Sequence, residues 1–200
     1  MPTVAKSNFS SHISQCDDAI KIHEYLEPKG YSADFGLRFV WVASISALDH
    51  YMSELIVETA TQQFSDGSTL TGKLLNETVP VSAMLQMHSL PSAAAVLEFR
   101  NTLSKVVRFR SFQKADDIGD GLSYFWNEAH KWNKIASELG LKPKQARAKL
   151  NSIAYRRDLI AHNADYDGAS GMLMPCHRSD AIEVVDYVKS LVHAIEKLAV

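Results

Sequence analysis

Two hundred residues and 22.2 kDa give room for one domain with a sizeable core and too little for two ordinary ones. Apolar residues at 46% and charged residues at 22% lie near globular averages, which excludes a disordered tail, a collagen-like repeat or a membrane bundle. Nine glycines and six prolines fall short of the roughly 12% usual for the pair, which favours helices over turn-rich sheet. Cys16 and Cys176 cannot build a disulfide framework and neither lies in a CxxC pair, so a reducing compartment, the cytoplasm, is expected. The N-terminal stretch MPTVAKSNFSSHISQCDD lacks the apolar core and small-residue cleavage site of a signal peptide. The longest nearly apolar run, Phe39 to Leu48, is ten residues, against roughly 20 for a membrane span.

Apolar periodicity and helix breakers predict an all-α bundle of about five to six helices with no sheet. A first helix, capped by Ser10 or Ser11, runs to about Leu26 and stops before Pro28 and Gly30. A second, from about Leu37 to Phe64, carries Leu37, Val40, Trp41, Ile45, Leu48, Met52, Leu55 and Ile56 on its buried stripe. Residues 65–80 read as a long loop, with at most a short turn of helix. A third helix spans about Ser92 to Phe109, after which RFRSFQKADDIGDG breaks the pattern. A fourth covers about Leu122 to Leu139 and ends at Gly140; a fifth starts at Pro143 and runs to about His162. NADYDGASG then makes a surface loop, and a last helix covers Ser179 to Leu198. Residues 1–200 thus form a single domain, with 1–36 as N-terminal helix and connector.

The net charge of −2 hides an asymmetry. Between Lys131 and Arg157 stand eight basic residues, Lys131, Lys134, Lys142, Lys144, Arg147, Lys149, Arg156 and Arg157, against the single acid Glu138. This segment is +7 and the remainder −9. A run of this kind is either a solvated helix face or, if its charges share one side, an RNA-guiding surface formed by Lys144, Arg147, Lys149 and Arg156.

The densest polar cluster, YRRDLIAHNADYD from Tyr155 to Asp167, falls at the end of the fifth helix. At about 100° per residue, Asp158 and His162 lie about 40° apart on the helix wheel, whereas Arg157 and His162 lie about 140° apart. A swing of the arginine or a second subunit is needed to bring that pair together. Other groups carry less. Cys176 and His177 are adjacent and have no second metal-spaced pair to join, so no metal site is expected. His50 beside Asp49 and Glu54 reads as ordinary polar surface, and Tyr124, Phe125, Trp126 and Trp132 as core. Cys16 lacks the surroundings of a nucleophile. No Walker loop, dinucleotide fingerprint or nucleophile elbow is present, and no cofactor is expected.

RRDLIAH at 156–162 resembles the signature of the HEPN superfamily: an arginine, a polar residue, and a histidine four to six positions on. With ALDHYMSELI at 47–56, FRSFQKADDI at 109–118 and YFW at 124–126, residues 37–197 are similar to the RiboL-PSP-HEPN branch. The resemblance implies an all-α fold, a dimer with signature helices meeting at the interface, and often a metal-independent endoribonuclease of toxin–antitoxin or phage-defence systems. An antitoxin or defence-system partner is then also expected. Carried onto this chain, Arg157 and His162 take the arginine and histidine positions. Asp158 takes the polar position where asparagine is commoner, which removes a hydrogen-bond donor and adds negative charge beside a phosphate site. Two functions stay open: RNA cleavage by Arg157, Asp158 and His162, or a non-catalytic dimeric module binding RNA, a nucleotide or a protein.

Overall fold

A helix starts where something accepts its first free amide protons. The computed structural model, which describes residues 2–200, places the first start at Thr3. Its Oγ1 accepts from Lys6 N at 3.0 Å, and the Glu58 carboxylate accepts from Val4 N and Ala5 N, each at 3.0 Å. Helix α1 therefore runs Val4–Leu26, earlier than its expected caps. The Ser10 and Ser11 hydroxyls bond backward to the carbonyls of Lys6 and Ser7 instead, as serines inside a helix do. A 3-10 turn, Glu27–Lys29, closes on Gly30 at φ 79°.

Helix α2, Asp34–Ser65, is the spine. Its 32 residues extend about 48 Å at 1.5 Å per residue. Leu37, Val40, Ile45, Leu48, Tyr51, Met52, Leu55 and Ile56 are fully buried on it, because α1, the later helices α5, α6 and α8, and the terminal helix α9 all pack against α2. These later elements are α3 (Gly72–Leu75), α4 (Val81–Ser89), α5 (Ser92–Val107), α6 (Ala115–Leu122), α7 (Lys131–Glu138), α8 (Pro143–Asn163) and α9 (Arg178–Ala199). One hydrophobic cluster runs from Ala5 and Phe9 of α1 to Ile195 of α9, so the N-terminal helix shares the core of the rest. No strand occurs among the described residues; Tyr166 and Leu173 form an isolated antiparallel bridge. Among the described residues no helix is long and apolar enough to cross a membrane.

The all-α expectation holds, while two segments divide differently. Between the second and third expected helices the chain adds α3, the short turn, and also α4. Pro80 leads into α4, and Leu90, extended at φ −90° and ψ 152° before Pro91, separates α4 from α5. The expected helix from Leu122 to Leu139 is broken: residues 123–130 are irregular, and the helix preceding them is the ADDIGDG stretch that reads as a breaker. Tyr124 and Phe125 are consecutive and both buried. A turn at Leu122, bonded to Phe125 N at 3.2 Å and Trp126 N at 2.8 Å, accommodates that better than one helical stripe. The aromatic cluster is core as expected, with Trp126 and Trp132 half-buried against it. Trp132 Nε1 donates to Ala115 O at 2.8 Å.

Gly121 explains why a glycine stands within α6. A Cβ there would sit 2.7 Å from Phe112 Cε1 and 3.1 Å from Ile56 Cδ1, with Phe112 and Ile56 both buried. Alanine improves helix propensity by about 1 kcal/mol, but overpacking a filled core costs about 1–3 kcal/mol. Gly121→Ala is expected to lower the denaturant midpoint, whereas Gly72→Ala, where the new methyl meets open space, should leave it equal or higher. A Gly121→Ala protein at least as stable as the parent would contradict this packing.

Candidate functional site

The signature lies on the last two turns of α8. The helix ends at Asn163, and Ala164 and Asp165 both adopt left-handed backbone, at φ 51° and 65°. Two successive non-glycine residues in that region persist only where the surroundings enforce them. What enforces them is a carboxylate. Asp165 is fully buried, and its Oδ2 accepts from Arg38 Nε of α2 at 2.7 Å and from Arg156 Nη2 of α8 at 2.9 Å. The same guanidinium groups hold the returning chain: Arg38 Nη2 donates to Met174 O at 2.8 Å and Arg156 Nη2 to Pro175 O at 3.1 Å. Met174 N in turn donates to Asp165 O at 2.9 Å. The loop after α8 is thereby a pinned hairpin, with the Asp167 carboxylate accepting from Ser170 N at 2.7 Å and Ala169 N at 3.1 Å. Those backbone hydrogen bonds hold the Asp167 carboxyl below its usual range. Sequence reading missed Arg38 and Asp165; only the order RRD…D around a helix end hints at the pair.

The expected site residues separate accordingly. Arg156 is mostly buried in this ion network. Arg157 turns to the other side: its Nη1 donates to Asp158 Oδ1 at 3.0 Å, and its Nε is buried with no hydrogen-bond partner among the described residues. The Arg157 side chain lines a groove of about 780 Å³ together with residues from the start of α1, from α2, from α5 and from the chain that follows α5. His50 and Glu54 lie on the groove floor, with His50 Nε2 3.4 Å from Glu54 Oε1 and its ring 5.2 Å from that of His12. His162 is exposed on the last turn of α8 and does not line this groove. Within one chain the structure thus brings Arg157 and Asp158 together and leaves His162 on another face, as the 140° on the wheel implies.

The +7 segment is not a free basic surface. Lys134 pairs with Glu128, Arg147 with Asp116, Lys149 with Glu183 at 2.6 Å, and Lys131 Nζ donates to Glu128 O at 2.6 Å. Of the residues expected to guide RNA, Lys144 alone is exposed without an ion partner among the described residues. Cys176 packs beside the Asp165 network, and burial pushes its thiol up. Cys16, also raised by burial, has its Sγ 3.5 Å from Ser44 Oγ within the core.

Removing the buried carboxylate leaves two guanidinium groups without their charge partner. Asp165→Ala is expected to cost about 3–5 kcal/mol. Ala164→Gly should instead stabilise by up to about 1 kcal/mol, because glycine enters the left-handed region without the Cβ penalty. Urea titrations of both variants check this; an Asp165→Ala midpoint equal to that of the parent would contradict the anchoring role.

Comparison with known proteins agrees with these elements. The family model described as RiboL-PSP-HEPN matches residues 6–200. No curated protein and no solved structure matches the chain. The match takes in α1 along with the signature helix and α9, and with it the chain belongs to the RiboL-PSP-HEPN family.

Proposed function

We propose that this protein is a metal-independent endoribonuclease that cuts RNA by attack of the 2′-hydroxyl on the adjacent phosphate, with its site completed across a homodimer. The observation that carries the reading is the placement of the signature: an arginine with an unpartnered buried Nε, a carboxylate holding its Nη1 at 3.0 Å, and an exposed histidine one turn on. Cleavage requires a base for the 2′-hydroxyl, charge stabilisation on the phosphorane and a proton for the departing 5′-oxygen. His162 takes or gives the proton. Arg157 faces the phosphate charge, and Asp158 orients Arg157, at the expense of some positive potential.

Arg157 and His162 look to different faces of α8, so one subunit supplies the arginine and the other the histidine. Support for such a pairing comes from apolar groups left exposed near this end of α8, namely Tyr155 at 65%, Tyr166 at 52% and Met172 at 70%. Tyr155 and His162 lie seven residues apart and so share one helix face. The enzyme would act in the cytoplasm as a toxin or defence effector. A second reading, a non-catalytic dimeric RNA- or nucleotide-binding module, is favoured by the Arg157–Asp158 pair, which ties part of the guanidinium to its own chain.

Purified protein incubated with total RNA in excess EDTA is expected to leave 2′,3′-cyclic phosphate and 5′-hydroxyl ends. His162→Ala and Arg157→Ala should each lower the rate by roughly two to four powers of ten, and light scattering should give about 44 kDa, twice the 22.2 kDa chain. Cleavage that leaves 5′-phosphate ends or survives both substitutions would contradict the catalytic assignment. RNA bound but never cut would favour the second reading.

A further inference from the structure

We propose that the groove between α2 and α5 is a track for single-stranded RNA, leading along the α5 wall to Arg157. The proposal rests on the reading of the protein as one that acts on RNA. It assigns the RNA path to residues outside the +7 segment.

Arg100 and Ser104 of α5 and Arg108, the helical residue that caps it, are spaced by four and so stand in one row, and all three line the groove. Arg100 and Arg108 are exposed, and neither has an ion partner among the described residues. About 12 Å of helix separates them, the reach of three to four stacked nucleotides at about 3.4 Å each. Arg110, by contrast, is engaged by Glu77 at 2.8 Å.

The acids lining the groove are each held by hydrogen bonds that fix the place of their carboxylates. Glu58 accepts the amides at the positive start of α1, Val4 N and Ala5 N, each at 3.0 Å. Glu54 accepts from Asn8 Nδ2 at 2.9 Å and stands 3.4 Å from His50. Asp49 accepts from the Phe112 amide at 2.6 Å and from Gln113 Nε2 at 2.8 Å. Arg100 and Arg108 have no ion partner among the described residues and supply the positive charge of that wall.

Phe109 supplies an independent observation. It follows Arg108 directly at the end of α5 and is 88% exposed, more than any other large apolar residue among those described. An aromatic ring in water next to Arg108, at the rim of the groove that Arg108 lines, is suited to single strands: the charge holds the backbone and the ring stacks on an unpaired base. Duplex RNA cannot use it, because its bases are already stacked and paired.

The test measures binding of a fluorescein-labelled single-stranded RNA to the His162→Ala protein, which keeps the RNA intact, by anisotropy over a salt series. Adding Arg100→Glu and Arg108→Glu should weaken affinity more than tenfold and reduce the slope of log affinity against log salt by about 1.4, for two phosphate contacts. Phe109→Ala should weaken it about tenfold and leave that slope unchanged. A duplex of the same length should bind more weakly than the single strand and be indifferent to Phe109. Circular dichroism melting of each variant identifies any that fails to fold, and Arg100→Lys with Arg108→Lys, which keeps the charges, should retain binding. If these variants bind as tightly as their parent while Lys144→Glu with Arg147→Glu does not, the track is overturned and the RNA-directed function stands. If the protein neither binds nor cuts RNA of any kind, both fall.

Discussion

Burial of one long helix on several sides is the constraint on which the rest of this fold depends. A 32-residue helix that faced water over much of its length would expose its apolar residues to no purpose. Here α1, α5, α6, α8 and α9 each cover part of α2. Its polar residues are thereby forced into the few strips left uncovered. Near its start such a strip holds Arg38, which meets Asp165; farther along another holds Asp49, His50, Glu54 and Glu58, the floor of the groove. The same helix therefore fixes both the end of the signature helix and the surface beside Arg157.

The network of Arg38, Asp165 and Arg156 shows how a costly local arrangement is held. Two left-handed non-glycine residues and a fully buried carboxylate each destabilise the chain alone. Together with two guanidinium groups and the carbonyls of Met174 and Pro175 they form one hydrogen-bonded unit that ends α8 at a defined residue. The neighbouring arginines of the sequence thus have different work. Arg156 faces the buried acid and is structural, while Arg157 faces the groove and is the one available to a ligand.

Much of the fold is legible in the sequence because α2, α8 and α9 carry long apolar stripes with clear breakers, such as Pro143 and Gly140 at φ 66°. The misreadings have local causes. Ser10 and Ser11 look like caps, but the true cap acts jointly with Glu58, some 50 residues away, which no local pattern reveals. Gly119 and Gly121 look like breakers, although the tight space beside Phe112 calls for a glycine within a helix at 121. The segment RRDLIAH, with Arg157, Asp158 and His162, was readable through its family resemblance, not from spacing alone. Its relation to the α2 and α5 groove was not, because that groove joins residues from Asp49 to Arg157 only in three dimensions. The basic run illustrates the converse: eight cations in 27 residues stand out in the sequence, and the fold pairs four of them, Lys134, Arg147, Lys149 and Arg156, with acids outside their own helix.

The claim at the centre of this account is that Arg157 of one subunit acts with His162 of the other. Mixing two inactive proteins, one carrying Arg157→Ala and the other His162→Ala, after subunit exchange tests it most directly. Half of the resulting dimers are mixed, and each mixed dimer holds one intact arginine–histidine pair if the pair forms between subunits. RNA cleavage should then return to about a quarter of the parent rate, by the counting of a two-fold symmetric dimer. A mixture no more active than either protein alone, with exchange verified by differently tagged subunits, would contradict the shared site.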